Sequence, residues 1–336
     1  MILVACFLAS AFTGWLFFLV GMPLPWILGA MSGSAICTNF TRKKINARSV
    51  RRLGQLTLGA ATGSLLTPEI LLELVNLFPA MLLTALAGIA VGVVLSLPLA
   101  KIAGVDRTTA LLSSLPAGMA EMGSLAQDIG ARADVVTLVH TLRVVMVVFA
   151  AALIVGGNNA QVVINASPGA TYTALTLCLT GGGLLALLAM RCGLINPWLI
   201  SPILLAALFV SFGFPLQIVP KPLVILAQIA IGFALGTRLD RKSLISLPRA
   251  ASGAILCGLL LISTMFFIVA RLLQYWLGVD YPTLVLSVAP GGLGEMIASA
   301  KALGTASSMV AAFQFVRSFI TNLVAPKVII RYSKIL

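Results

Sequence analysis

Ionisable side chains are scarce in this chain. Only 9% of its 336 residues are charged, 60% are hydrophobic, and the mean hydropathy is +1.10. A water-soluble domain carries about 25% charge. Too few polar residues remain to cover a surface in water, so the chain reads as a multi-pass membrane protein. Acids are outnumbered by bases, 9 Asp+Glu against 22 Lys+Arg, an excess that basic loops on one side of a membrane explain without any nucleic acid. His140 is the single histidine, which argues against a copper or zinc site built on imidazole. Cys6, Cys37, Cys178, Cys192 and Cys257 stand singly in apolar segments with no CxxC spacing. They read as small packing residues, not as disulfides or metal ligands. No nucleophile–base pair stands out, so neither an enzyme nor a bound cofactor is expected.

The chain does contain a repeat. Shifting the numbering by 174 lays LPAGMAEM, from Leu115, over APGGLGEM, from Ala289. The register runs without a gap from Gly104/Gly278 to Arg143/Arg317, and 14 of the 40 pairs are identical. So apolar a composition gives about one identity in twelve to fifteen by chance. The identities include Asp106/Asp280, Pro116/Pro290, Gly118/Gly292, Glu121/Glu295 and Gly130/Gly304. These are breakers and charges that hydrophobicity alone would not supply. Upstream, Gln55, Gly59 and Gly63 match Gln228, Gly232 and Gly236 at an offset of 173. The domain reading is a first membrane repeat over 1–157, a polar joint at 158–171, and a second repeat over 172–336.

Apolar segments fall near 1–20, 24–38, 52–67, 77–100, 106–130 and 133–157, and again near 172–190, 198–212, 221–238, 248–272, 281–304 and 307–328. Residues 1–20 carry no basic leader and their apolar character continues, so they read as a first membrane helix, not a cleaved signal. So abrupt a start also suggests an initiator methionine further upstream. Several segments are shorter than the roughly 20 residues of a perpendicular crossing, which predicts tilt or incomplete crossing. The loop 41–52 holds six basic residues and no acid, whereas its counterpart in the second half holds only Lys221. The loop 67–77 holds Glu69 and Glu73, whereas its counterpart holds Arg238, Arg241, Lys242 and Arg249 against Asp240. Equivalent loops therefore face opposite sides, and the repeats are inverted. Inversion needs an odd number of crossings per repeat. Of six segments one must enter and leave on the same side, and those broken by proline and glycine, 106–130 and 281–304, suit that role. The predicted fold is an all-α polytopic membrane protein of two inverted repeats. Each has five spanning helices and one broken, re-entrant hairpin, with both termini cytoplasmic.

A break at membrane depth frees backbone groups that lipid cannot satisfy, so it is buried in protein or lines a wet cavity. The helix restarting after Pro116–Gly118, or after Pro290, Gly291 and Gly292, points unpaired N–H groups and a positive dipole end at the membrane centre, which suits an anion. Secondary transporters often build their sites so. Glu121 and Glu295 fall in the first turn of the restarted helices, where they either cap it or couple a cation. Arg143 and Arg317 lie in the following apolar helices, where an arginine is costly and faces a partner or polar cavity; a Glu–Arg bridge and contact with a ligand carboxylate are both open. His140 lies three residues before Arg143, and its counterpart is Gln314, which favours a hydrogen-bond donor over a proton shuttle. Asp106 and Asp280, each followed at the third position by threonine, are predicted helix N-caps. The pairs Gly59/Gly63 and Gly232/Gly236 place small residues on one helix face, for internal packing or association of a homodimer.

In its duplicated LPAGMAEM/APGGLGEM segments, with Gly-Val-Asp before each and an arginine after each, the chain resembles the membrane AbrB family, the AbrB duplication proteins of Gram-negative bacteria. That name is shared with an unrelated soluble DNA-binding regulator. Members of the membrane family carry labels of ammonia monooxygenase and of regulator of gene expression, and the first fits poorly with one histidine. The resemblance extends distantly to inverted-repeat carriers of citrate and glutamate with glycine-rich hairpin tips. It implies an inner-membrane secondary transporter of a small anionic solute, coupled to a proton or sodium ion. The rival reading is a membrane-embedded regulator acting through a protein partner. The expected partners are the solute, the lipid bilayer and a second copy, with no direct nucleic acid.

Overall fold

The computed structural model describes residues 2–41, 45–156, 172–194, 196–214, 219–239 and 241–334, with only the backbone described beyond 324. The joint at 158–171, Arg42, Lys43, Lys44 and Asp240 lie outside the described residues. Every regular element among the described residues is a helix. The first half contains α1 Ile2–Leu19, α2 Pro25–Thr41, α3 Arg48–Gly63, α4 Pro68–Asn76, α5 Phe78–Ala103, α6 Arg107–Ser114, α7 Met119–Asp128 and α8 Ala133–Val155. The second contains α9 Tyr172–Arg191, α10 Pro197–Ser211, α11 Lys221–Gly236, α12 Arg241–Ser246 and α13 Pro248–Ser263. It continues with α14 Ala270–Leu277, α15 Tyr281–Val288, α16 Leu293–Leu303 and α17 Ser307–Lys334. A π-helical turn, Thr264–Val269, joins α13 to α14.

Among the described residues six stretches are long and apolar enough to cross a membrane: Ile2–Leu19, Phe78–Ala103, Ala133–Val155, Tyr172–Arg191, Pro248–Leu277 and, taking α11 with α12, Lys221–Ser246. A bent pair, Arg48–Gly63 with Pro68–Asn76, would make a seventh. It turns by 96°. Pro197–Ser211 is apolar but has only 15 residues, short of a perpendicular crossing.

The compact units cut across the sequence halves. One comprises residues 1–77, 156–238 and 297–311, and so gathers α1–α4 with α9–α11. Its helices pack through backbone contact at glycine. A Cβ on Gly59 or Gly63 of α3 would strike the carbonyls of Leu199 or Ile203 on α10. A Cβ on Gly232 or Gly236 of α11 would strike those of Ile27 or Met31 on α2. The small-residue faces are thus used inside this unit, each joining a helix of one half to a helix of the other. They supply no argument for a second copy.

The cysteine reading needs one correction. Cys6 of α1 and Cys37 of α2 form a disulfide, with Cα atoms 5.8 Å apart. They lie about equally far either side of the short connection between two helices packed side by side, so folding aligns what sequence spacing conceals. Cys178 and Cys257 are free and buried, and Cys192 is free and exposed.

The second unit comprises residues 78–155, 239–296 and 312–336. Its core around the first break packs Leu111, Leu112 and Leu115 against Ile89 of α5, Met122 of α7 and Val136 of α8. Leu99 of α5 and Val135 and Val139 of α8 meet Ala254 and Cys257 of α13. Both broken helices, α6/α7 and α15/α16, begin on their predicted caps: Thr109 N–H donates to Asp106 Oδ2 at 2.8 Å, and Thr283 N–H to Asp280 Oδ2 at 2.9 Å.

Candidate functional site

A helix that stops inside a protein leaves its last four carbonyls without intrahelical donors, and each must find another. At the end of α6, Leu115 N–H reaches Leu111 O at 3.1 Å. His140 Nε2 lies 2.9 Å from Leu112 O. Arg143 Nη1 donates to Ser113 O, Ser114 O and Leu115 O at 3.4, 3.3 and 2.9 Å, and Nη2 to Ala117 O at 3.5 Å. Arg143 Nη2 also lies 2.8 Å from His140 Nδ1. A guanidinium only donates, so Nδ1 accepts, and the proton on Nε2 goes to Leu112 O. His140 is thereby held neutral in one tautomer, as a hydrogen-bond donor.

The second break is capped from the same two positions, with the carbonyls shared out differently between them. Gln314 Nε2 donates to Leu286 O at 2.7 Å, Ser287 O at 3.2 Å and Ala289 O at 3.0 Å. Arg317 donates to Ala289 O through Nη1, and to Gly291 O through Nη2 at 2.7 Å. Proline makes each corner: Ala117 N–H bonds Leu115 O across Pro116, and Gly291 N–H bonds Ala289 O across Pro290, both at 2.8 Å. Such three-residue turns suit the fixed φ of proline.

Neither arginine comes within salt-bridge distance of a carboxylate among the described residues, so the bridge to Glu121 or Glu295 does not form. The glutamates lie at the other lip. Glu121 is the third residue of α7, whose N-cap is Gly118, and a Cβ on Gly118 would collide with its Oε2. Gly292 stands in the same relation to Glu295. The backbone at Gly118 is ordinary extended chain, φ −68° and ψ 134°, so glycine serves there as space, not as a flexible joint. A carboxylate at a helix N-terminus complements the positive dipole end. It also covers the end expected to receive an anion, so each broken helix compensates its own dipole, with arginine at the negative end and glutamate at the positive end.

What this leaves open is the arginines. Arg143 and Arg317 are 3% and 4% exposed, and the Nε of each has no hydrogen-bond partner. Gly291 packs against Val147, one turn of α8 beyond Arg143, which brings the second tip beside the first arginine. A small cavity of about 10 Å³, about one water in size, touches Arg143, Ser113, Ser114 and Cys257.

Sequence reading missed Gly88 and Gly92 of α5. A Cβ on Gly92 would come within 3.0 Å of Ser114 O, and one on Gly88 within 3.3 Å of Pro116 Cγ. They admit the first tip against α5, and their spacing of four was the available signal. In the second half the corresponding place holds the π turn, whose Phe266 carbonyl accepts from Tyr281 Oη at 3.0 Å.

Known proteins align with nearly the whole length of the chain. It is 26% identical over 322 residues to "Putative regulator AbrB" of Escherichia coli (strain K12), covering 93% of this chain and 91% of the relative. It is 24% identical over 348 residues to "Uncharacterized protein YhjN" of Bacillus subtilis (strain 168), covering 94% and 89%. No solved structure matches. The family model described as transition state regulatory protein AbrB spans residues 26–333, from the start of α2 through both broken helices and into the last turn of α17, and the chain belongs to that AbrB family.

Proposed function

We propose that this membrane protein is a secondary transporter of a small anionic solute, and not an enzyme. The observation that carries the reading is the pair of buried guanidinium groups with no carboxylate at salt-bridge distance among the described residues. A half-helix C-terminus offers only about half a negative charge, so each arginine keeps a residual positive charge and an unused Nε donor. A buried charge without full compensation is costly, and a solute carboxylate would relieve it. Binding then uses arginine side chains more than the N–H groups of the restarted helices, which the glutamates already cover.

The same geometry bears on coupling. Carbonyls freed at a broken helix are the usual ligands for a sodium ion, but here arginine, histidine and glutamine already occupy most of them. A proton is the better coupling ion. The proposed topology is ten spanning helices and two re-entrant hairpins in inverted repeats, in a bacterial inner membrane with both termini cytoplasmic.

The test is uptake into proteoliposomes from a panel of labelled carboxylates, phosphates and sulfonates, with an imposed pH gradient. Saturable uptake of at least one anion is expected, unchanged when choline replaces sodium. Arg317→Gln should weaken apparent affinity by about ten- to a hundredfold, from a lost charged hydrogen bond, with a monodisperse, folded protein as control. No uptake above empty vesicles for any anion would remove the reading. The alternative, a membrane-embedded regulator working through a protein partner, has the name of the Escherichia coli relative in its favour.

A further inference from the structure

Away from the breaks, the second unit has a larger cleft, of about 200 Å³. It lies where the C-terminal end of α5 meets the N-terminal ends of α8 and α13. One of these membrane-length stretches ends here and the other two begin here, so the cleft sits at the depth where hydrocarbon gives way to headgroups. Its walls are of two kinds. Ala103, Val135 and Leu247 are apolar, whereas Arg132, Arg249 and Ser246 are polar.

The two arginines differ in their engagement. Arg132 Nη2 donates to Asp134 at 2.8 Å, and Asp106 is also near it. Its charge is therefore partly compensated, although both it and Asp134 are half exposed. Arg249 is exposed, and its side chain makes no hydrogen bond or ion pair among the described residues. Alongside runs α12, which places Arg241 and Lys242 beside Ile245, an isoleucine 65% exposed. A short helix with cations and an exposed apolar residue is the composition of an interfacial segment. Guanidinium groups match phosphate oxygens in a fixed fork, and the apolar wall would meet glycerol and the first methylenes.

We infer that this cleft binds the phosphate of an anionic phospholipid, with Arg249 as the principal contact and Arg132 as the second. The consequence reaches the first broken helix. Arg132 N–H donates to Thr109 Oγ1 at 3.1 Å, and Thr109 is the residue capped by Asp106. A lipid seated on Arg132 therefore fastens the foot of α6 to the start of α8. The site is independent of whether the protein transports anything.

The experiment uses the full-length protein, delipidated in detergent and read by native mass spectrometry and thermal unfolding. Phosphatidylglycerol, phosphatidylcholine of the same chains and glycerol 3-phosphate are added separately. Phosphatidylglycerol should remain bound and raise the unfolding temperature, and phosphatidylcholine should do so far less. Arg249→Gln should weaken phosphatidylglycerol binding about fivefold, the effect of one basic residue at an anionic surface, while Arg249→Lys retains most of it. Arg249 holds nothing in the fold, so this variant should fold. Equal responses to the two lipids, or wild-type phosphatidylglycerol binding by Arg249→Gln, would overturn the site. A response to glycerol 3-phosphate without one to lipid would make the ligand a soluble phosphate and overturn the lipid assignment.

Discussion

At the scale of residues, the decisive fact is that His140 and Gln314 do one job with different chemistry. Both present a nitrogen to the carbonyl at equivalent positions, Leu112 and Leu286. His140→Gln should therefore fold and retain the break, whereas His140→Leu leaves Leu112 O unpaired and removes the acceptor on Arg143. An unsatisfied buried group costs about 1–3 kcal/mol, so thermal unfolding in nanodiscs should place the leucine variant well below the glutamine one. Equal stability of the two would show that the imidazole does not cap α6. The sequence made this pair legible through its substitution, since glutamine can replace a donor but not a proton shuttle. The destination of the arginines was not legible. Spacing placed Arg143 one membrane helix after Glu121, and an opposite charge is the obvious partner. Only folding shows that α8 carries the guanidinium to the end of α6, while Glu121 turns back on its own first turn.

At the scale of elements, helix existence and the two breaks could be read from apolar runs, proline and glycine to within a few residues. Two elements could not. The α4 and α12 helices have 9 and 6 residues, too few to show a period against their charged neighbours, and both read as loops. Packing partners were hidden as well, because a Gly-x-x-x-Gly face states that something approaches without naming it. In the structure Gly236 admits the carbonyl of Met31 and the hydroxyl of Ser34. Gly236→Ala should therefore push α11 from α2, at a cost of about 1–3 kcal/mol for overpacking. Gly213, at φ +77° with nothing within 4 Å, makes a poor control because its backbone is left-handed. Gly183 of α9, where an added Cβ would meet only Leu56 Cδ2 at 3.9 Å, suits better as Gly183→Ala. The comparison is made by thermal unfolding, and equal losses would mean that the close contact at Gly236 contributes nothing particular.

At the scale of the whole molecule, the charge exchange between equivalent loops makes a claim about sidedness that helix packing alone does not contain. Asn46, beside the basic loop of the first half, and Ser246, beside that of the second, are both exposed. In the proposed topology they share the cytoplasmic side. Glu69 at the start of α4 lies opposite, because α3 crosses between it and Asn46. Single cysteines at these three positions, on a background without the native five, should therefore sort two against one when an impermeant thiol reagent is applied to intact cells and to inverted vesicles. Removing Cys6 and Cys37 also removes a covalent link between α1 and α2, so each variant must first pass a folding check. The expected result is labelling of Asn46→Cys and Ser246→Cys from the cytoplasmic face only, and of Glu69→Cys from outside only. If Asn46→Cys and Ser246→Cys label from opposite faces, the halves run parallel. The broken helices would then not approach the membrane centre from opposite sides, and the proposed anion site framed by both breaks would lose its basis.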